Sequence, residues 1–248
     1  MSTYNSFLFC GHGRNKAGAY DSGALSVTKE HETVIAQQII NSAVKYLEPT
    51  KLVMHLGSNN YSDNLTKGNY YYALSGATVH LNSGGGTGVE VFVPCKEKDL
   101  GAEVEFCKDV ATLLNTKNRG VKSRDYNSEK TFNRVNGSSL NYTDWYREIR
   151  EAWNNGFSLA IIEVGFIDNS IEFDKIKKNI DEIGFLVAKY IAKINGKTLT
   201  KPTPAQTPAQ TTYYRVVCGS YGKRENAEKM VAELKSKGYS PFIDIYKK

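Results

Sequence analysis

Two of the four histidines in this 248-residue chain follow short apolar runs typical of buried strands. His12 stands in Cys-Gly-His-Gly and His80 in Thr-Val-His-Leu. Glu163 follows a third apolar run, and Glu30 lies in the first turn of a stretch with helical spacing. Two imidazoles and a carboxylate can hold zinc, while a further carboxylate moves protons. Spacing alone is equally compatible with histidines that have only structural roles, because no short HExxH-type motif fixes the geometry.

The elements that must position these residues alternate along residues 1–196. Short apolar runs predict strands, and apolar residues three or four positions apart predict helices. This alternation is typical of an α/β fold, in which side chains at the carboxyl ends of strands meet at one edge of the sheet. The predicted strands cover residues 7–10, 51–57, 77–81, 89–93 and 157–162. The predicted helices cover residues 29–47, with Thr28 as its N-cap, and residues 99–115, 143–153 and 171–194.

A change in composition marks a second part of the chain. Residues 197–212 repeat Thr-Pro-Ala-Gln, which predicts an extended linker between domains. Residues 213–248 predict a small β-α-β module, with strands over 213–217 and 242–246 and a helix over 225–237. The first 196 residues hold 22 basic and 22 acidic side chains, so the whole net charge of +6 lies after them. A basic tail suits an anionic polymer or simply a solvated surface.

Composition also excludes several classes of protein. No apolar run is long enough to cross a membrane, and no motif for binding nucleic acid accompanies the lysines. The four cysteines lack CxxC spacing, so we expect reduced thiols. The first residues do not resemble a secretory signal.

Four motifs together resemble the zinc-dependent N-acetylmuramoyl-L-alanine amidases of the Amidase_3 type. They are Gly-His-Gly after the first strand, Gly-Ala followed by Lys-Glu at a helix start, Val-His-Leu-Asn, and Glu-Val-Gly-Phe-Ile-Asp-Asn. Their order and separation match across roughly residues 6–195. The resemblance implies a twisted, mostly parallel sheet flanked by helices. The run VHLNSGGGTGVEVF most resembles bacteriophage endolysins of Gram-positive hosts.

The resemblance also implies roles for particular residues. It assigns one zinc ion to His12, Glu30 and His80, and the acid/base role to Glu163. Glu32 is the rival metal ligand, because it lies two residues beyond Glu30 in the same predicted helix. The loop after the second histidine is expected to contact substrate through Asn82, Gly85 and Gly86.

The tail resembles one half of a SPOR domain. The resemblance rests on Gly-Ser-Tyr after the first strand, Asn-Ala-Glu at the helix start and Lys-Gly-Tyr before the last strand. SPOR domains of that family bind peptidoglycan and usually contain two such repeats. A single repeat therefore implies either wall binding or pairing of two chains in a homodimer.

These resemblances favour a phage endolysin that cleaves the amide between N-acetylmuramic acid and L-alanine in peptidoglycan. Such an enzyme is expected to stay in the host cytoplasm until release and then to act at the cell wall. Three other functions stay open on the sequence. One is a bacterial autolysin or spore-lytic amidase, and another is a zinc peptidase that cuts within the stem peptide. The third is a catalytically silent protein that binds the wall.

Overall fold

The structure is a computed structural model that describes residues 4–14, 17–56, 74–201 and 217–245, without the side chain of His55. The chain divides into two compact units, Met1–Lys201 and Pro202–Lys248. Most of the expected linker, residues 202–212, lies outside the described residues. In the part of the chain that is described, no helix is long and apolar enough to cross a membrane.

A seven-stranded sheet forms the centre of the first unit. Its strands run in the order β4-β1-β5-β9-β6-β7-β8, and a separate antiparallel pair joins β2 to β3. Four of the six pairings in the large sheet are parallel, which confirms the expected mostly parallel sheet. The strands are β1 Ser6–Cys10, β2 Gly13–Arg14, β3 Tyr20–Asp21, β4 Met54–His55, β5 Ser75–Asn82, β6 Val89–Phe92, β7 Asn118–Arg124, β8 Thr131–Asn133 and β9 Ser158–Phe166.

Five α-helices accompany these strands in the described part of the first unit: α1 Glu32–Leu47, α2 Gly101–Leu114, α3 Arg147–Asn154, α4 Ser170–Lys178 and α5 Ile180–Ile194. A 3-10 turn, Glu48–Thr50, follows α1. The single helix predicted over residues 171–194 is wrong, because Asn179 leaves helical geometry (φ −121°, ψ 22°) and separates α4 from α5. The Asn179 side chain donates a hydrogen bond to the Lys175 carbonyl at 2.8 Å, at the end of α4.

The first helix begins later than its apolar spacing predicts. Lys29 adopts φ 64°, and the amide of Glu30 donates to the Ser26 hydroxyl at 2.8 Å. These contacts close a tight turn before the helix, so the N-cap residue is His31 rather than Thr28. The helix therefore starts at Glu32.

The main hydrophobic core lies on the sheet face that packs against α1, α2 and α5. Strand residues such as Leu8, Val79 and Ile162 are fully buried there, beside Ile39 of α1 and Ile191 of α5. Replacing one of these large aliphatic residues by Ala would cost about 2–5 kcal/mol of folding free energy. This core fixes the strands whose ends carry the chemistry.

The opposite face is covered by α3, which packs Ile149 beside Ile161 of β9. Beyond this apolar contact, the same face carries polar residues on adjacent strands. The pairing register aligns His80 of β5 with Glu163 of β9, and Glu163 with Glu90 of β6. Residues aligned across neighbouring strands project from the same face. The fold therefore places one imidazole and two carboxylates in a row, which we call the polar row.

The second unit has one regular element within residues 217–245, the helix α6 Arg224–Ser236. This helix confirms the one predicted over residues 225–237, and Gly238 follows its end with φ 86°. Nearly all of the strand expected over 213–217 lies outside the described residues. Residues 242–245, expected to begin the closing strand, form no strand.

Candidate metal centre and adjoining cleft

The two histidines expected to bind metal lie side by side. The ring centroids of His12 and His80 are 4.9 Å apart. Gly11 makes this approach possible, since a Cβ at that position would stand 1.6 Å from Nε2 of His80. Nδ1 of His12 lies 2.9 Å from Oδ2 of Asp21, the last residue of β3. If Nδ1 carries the proton, it donates a hydrogen bond to that carboxylate, and Nε2 of His12 is left free to bind a metal ion.

Glu32, the first residue of α1, joins the two rings. Its Oε1 lies 3.2 Å from Nε2 of His12 and 3.1 Å from Nδ1 of His80. The amides of Leu81 and Ala24 each donate to this carboxylate at 2.9 Å. Burial by itself would raise the pKa of Glu32, but the hydrogen bonds from His12 and His80 hold that pKa well below its usual range. Glu32 is therefore a buried anion.

Glu30 lies outside this cluster, so the expectation that it joins the histidines is wrong. Its carboxylate accepts hydrogen bonds from Nζ of Lys177 at 2.7 and 2.9 Å and from the Thr28 hydroxyl at 2.7 Å. The physical reason is the turn at Ser26, which delays the helix by three residues and brings Glu32 to its first position. Glu32, the rival ligand on the sequence, occupies the place expected for Glu30.

The three side chains supply donor atoms that could hold a metal ion such as zinc. Nitrogen from two imidazoles and oxygen from a carboxylate form a donor set typical of catalytic zinc sites, which keep a fourth position open. Ligands at bond lengths of about 2.0–2.1 Å define a tetrahedron with edges of about 3.3 Å. The two imidazole nitrogens lie 3.1 and 3.2 Å from the shared Glu32 oxygen, and all three ligand atoms lie within 4.8 Å of one another.

Acidic residues also stand behind both imidazoles, as is usual for histidines that bind metal. Asp21 approaches His12, and Oε1 of Glu148 lies 3.4 Å from Nε2 of His80. Glu148 belongs to α3, in the long stretch before the last strand. No local sequence signal marks either residue, because each meets its histidine only through the fold.

Glu163 stands next to His80 in the polar row. Its Oε2 is buried and has no hydrogen-bond partner among the described residues. Burial is the main cause that raises the pKa of Glu163, to about 7. A carboxyl group with this pKa can both accept and donate a proton near neutral pH.

A cleft of about 540 Å³ opens beside Glu163. Two of the residues expected to contact substrate, Asn82 and Gly86, line it, but Gly85 does not. Asn82 donates a hydrogen bond to Glu90 at 2.6 Å. The amide of Gly85 instead donates to Asp168 at 2.8 Å, which ties the glycine loop to the end of β9.

Comparison with known proteins identifies two families that this chain matches. The family described as N-acetylmuramoyl-L-alanine amidase matches residues 7–193, and the SPOR domain family matches residues 187–244. The sporulation-specific N-acetylmuramoyl-L-alanine amidase of Bacillus subtilis (strain 168) is 23% identical over 245 residues, which cover 96% of this chain and 83% of that protein.

Solved structures share the fold of the first unit. Cwp6 from Clostridium difficile matches with a TM-score of 0.61 and 19% identity over 79% of this chain, which spans only 29% of Cwp6. The catalytic domain of the CD27L endolysin targeting Clostridia Difficile matches with a TM-score of 0.55 and 20% identity, over 79% of this chain and 98% of that domain.

Proposed function

The chain belongs to the N-acetylmuramoyl-L-alanine amidase family, and on that premise we propose a zinc-assisted reaction for its peptidoglycan amidase activity. The proposed metal ligands are His12, Glu32 and His80, with Glu163 as the acid/base. The observation that carries the proposal is the position of one Glu32 oxygen within 3.2 Å of both imidazoles. The bond cleaved is the amide between the lactyl group of muramic acid and L-alanine.

Hydrolysis of a neutral amide requires several functions, which different residues of the chain perform. Zinc bound at this site would supply a Lewis acid that acidifies water and draws charge from the scissile carbonyl. Glu163 accepts the proton of the attacking water and returns it to the departing nitrogen, as an amine is a poor leaving group without that proton. Asp21 orients the imidazole of His12 through its hydrogen bond, and the carboxylate of Glu148 faces Nε2 of His80 at 3.4 Å.

We further propose that the tail holds the enzyme on its insoluble substrate. The match to the SPOR domain family and the +6 charge beyond residue 196 support this role. Retention on the polymer would raise the local concentration of the catalytic domain. The proposed limits are 1–196 for that domain, 197–212 for the linker and 213–248 for the tail. Pairing of two tails stays a prediction, which sedimentation of the full chain tests.

The chain's relatives bear on whether it is a phage or a bacterial enzyme. The similarity to the B. subtilis sporulation-specific amidase extends over 96% of the chain, whereas the similarity to the CD27L endolysin covers its catalytic domain. We therefore propose a bacterial autolysin that acts at the cell wall, in place of the phage endolysin. A phage endolysin that stays in the host cytoplasm until release is the second candidate.

Product analysis on purified walls tests the proposed reaction. We expect new L-alanine amino termini and glycan free of peptide, loss of both products with a chelator, and their return with zinc. New amino termini of other residues would instead show a peptidase that cuts within the stem. Zinc-loaded protein that binds walls without releasing any product would show a catalytically silent wall-binding protein.

A further inference from the structure

Three basic side chains line the cleft on the side away from the proposed metal site. Arg119, Lys122 and Arg124 all belong to β7 and face the same cavity as Glu163. No sequence motif singled them out, because β7 (NRGVKSR) lacks the apolar run that marks the central strands. We call Arg119, Lys122 and Arg124 the basic wall.

Glu90 neutralises only part of this charge. The carboxylate of Glu90 is 3% exposed and pairs with Arg119 at 2.8 Å and with Lys122, both through the same oxygen. Its other oxygen accepts the hydrogen bond from Asn82. One buried carboxylate is thus shared by two cations and an amide donor. Arg124 has its acidic partner, Glu129, only at 3.8 Å and on an exposed side chain.

Arg119 is the member best placed to bind a ligand. It reaches Glu90 through Nε alone, and neither of its terminal nitrogens donates a hydrogen bond to the part of the chain that the structure describes. Its guanidinium lies over the ring of Phe166, with 5.2 Å from Cζ to the ring centroid. Packing against that ring and the bond to Glu90 hold the guanidinium in place. A guanidinium held in this way can bind a carboxylate through two parallel hydrogen bonds.

The direction of the substrate follows from the role proposed for Glu163. A group that protonates the departing nitrogen must lie within hydrogen-bond distance of it. The peptide that begins at this nitrogen therefore extends on the Glu163 side, and the glycan extends on the other. Glu163 aligns with Glu90, and Glu90 aligns with Gly120 of β7, so two strand spacings separate Glu163 from the basic wall. That distance is about 10 Å, or about three residues of extended peptide.

From this geometry we propose that the basic wall, chiefly Arg119, binds a carboxylate within the first three residues of the stem peptide. The cleft would then distinguish stem peptides with a free carboxylate at this position from stem peptides in which the same group is a carboxamide. This inference rests on the proposed amidase reaction and adds a determinant of its specificity.

The test compares native walls with the same walls after carbodiimide and ammonium have converted carboxylates to carboxamides. This treatment leaves phosphodiesters of other wall polymers unchanged. The full-length protein is assayed on both by the release of L-alanine amino termini. We expect the wild type to act about tenfold or more faster on native walls, which is the effect of losing one charge-assisted hydrogen bond.

Variants separate the proposed contact from a structural effect. Arg119→Gln leaves Glu90 paired with Lys122 and should lower the rate on native walls about tenfold, with a much smaller effect on amidated walls. Arg119→Lys, which keeps the charge, should recover part of the preference. Lys108→Gln removes an exposed cation of α2 outside the cleft and should retain the full preference.

The contrary outcomes distinguish failure of the proposed carboxylate site from failure of the proposed amidase reaction. Equal wild-type rates on the two walls would overturn the carboxylate site while the amidase reaction stands. An Arg119→Gln variant that slows both reactions equally, or keeps the preference, would also overturn it. A wild type that releases no L-alanine termini from either wall would refute the proposed reaction itself, and the site with it.

Discussion

Two buried glutamates, one on each side of the sheet, have nearly the same acidity and very different surroundings. Burial raises the pKa of Glu163 on β9 and of Glu103 on α2 to about 7 in both cases. Each has one buried carboxyl oxygen without a hydrogen-bond partner among the described residues. Glu163 faces the cleft beside His80, whereas Glu103 accepts a hydrogen bond from the hydroxyl of Tyr190 at 2.9 Å, between α2 and α5.

The comparison shows that a raised pKa reports burial and does not by itself identify a catalytic group. Glu163 has a neighbouring metal site and a cavity that could admit substrate. Glu103 is surrounded by the hydroxyl of Tyr190 and by apolar residues of α2 and α5, and it does not line the cleft. We therefore expect changes at Glu163 to affect turnover, and changes at Glu103 to affect stability and its dependence on pH.

The largest expected effect is that of Glu163→Gln on activity. Glutamine keeps the shape of the side chain but cannot move the proton, so the rate of wall hydrolysis should fall about 10²–10⁴-fold. The zinc content and circular dichroism spectrum of the variant should match those of the wild type. Activity within threefold of wild type would remove Glu163 from the acid/base role.

Glu103→Gln should have the next largest effect, on stability. The folded-state pKa of about 7 lies above the unfolded value near 4.5, so the folded protein binds the extra proton. Stability contributed by protonated Glu103 is complete below pH 4.5 and is lost as the pH rises through 7. The loss amounts to about 3 kcal/mol.

The variant, which carries no ionisable group at this position, should lack that loss. Urea unfolding followed by the fluorescence of Trp145 and Trp153, both in the first unit, measures the difference between the two proteins at pH 4.5 and pH 8. We expect similar stability at pH 4.5, a more stable variant at pH 8, and unchanged activity. A difference that does not vary with pH would show that the pKa of Glu103 is not raised in the folded protein.

The smallest expected effect is that of Tyr190→Phe. Removing the hydroxyl deprives Glu103 of its donor and should cost about 1 kcal/mol of folding free energy. Wall hydrolysis should stay at the wild-type rate, since Tyr190 lies in the helical core. The same unfolding assay checks this, and a Tyr190→Phe protein with reduced turnover at full stability would link this core to the site.

The fold was predictable where apolar periodicity was strong. The strands of Leu8, Val79 and Ile162 were predicted from continuous apolar runs, because both faces of a central strand are buried there. The strand β7 was missed, since its polar residues line a cleft rather than a core. Periodicity also continued across Asn179, so it could not reveal a break made by one residue's backbone.

The candidate site was predictable only where a short sequence motif carries the functional residue. Short motifs located His12, His80 and Glu163 because each follows an apolar strand. The choice between Glu30 and Glu32 depended on where α1 begins, and that is set by the turn at Ser26. Glu148 and Arg119 meet their partners across long stretches of sequence, and Asp21 reaches His12 through the pairing of β2 with β3, so no short motif could have paired them.

Zinc content of two matched variants tests the central claim most directly. Glu32→Gln and Glu30→Gln make the same chemical change two residues apart, and elemental analysis of each purified full-length protein gives the zinc bound per chain. We expect about one zinc per chain in the wild type and in Glu30→Gln, and almost none in Glu32→Gln. Zinc retained by Glu32→Gln and lost from Glu30→Gln would contradict this expectation.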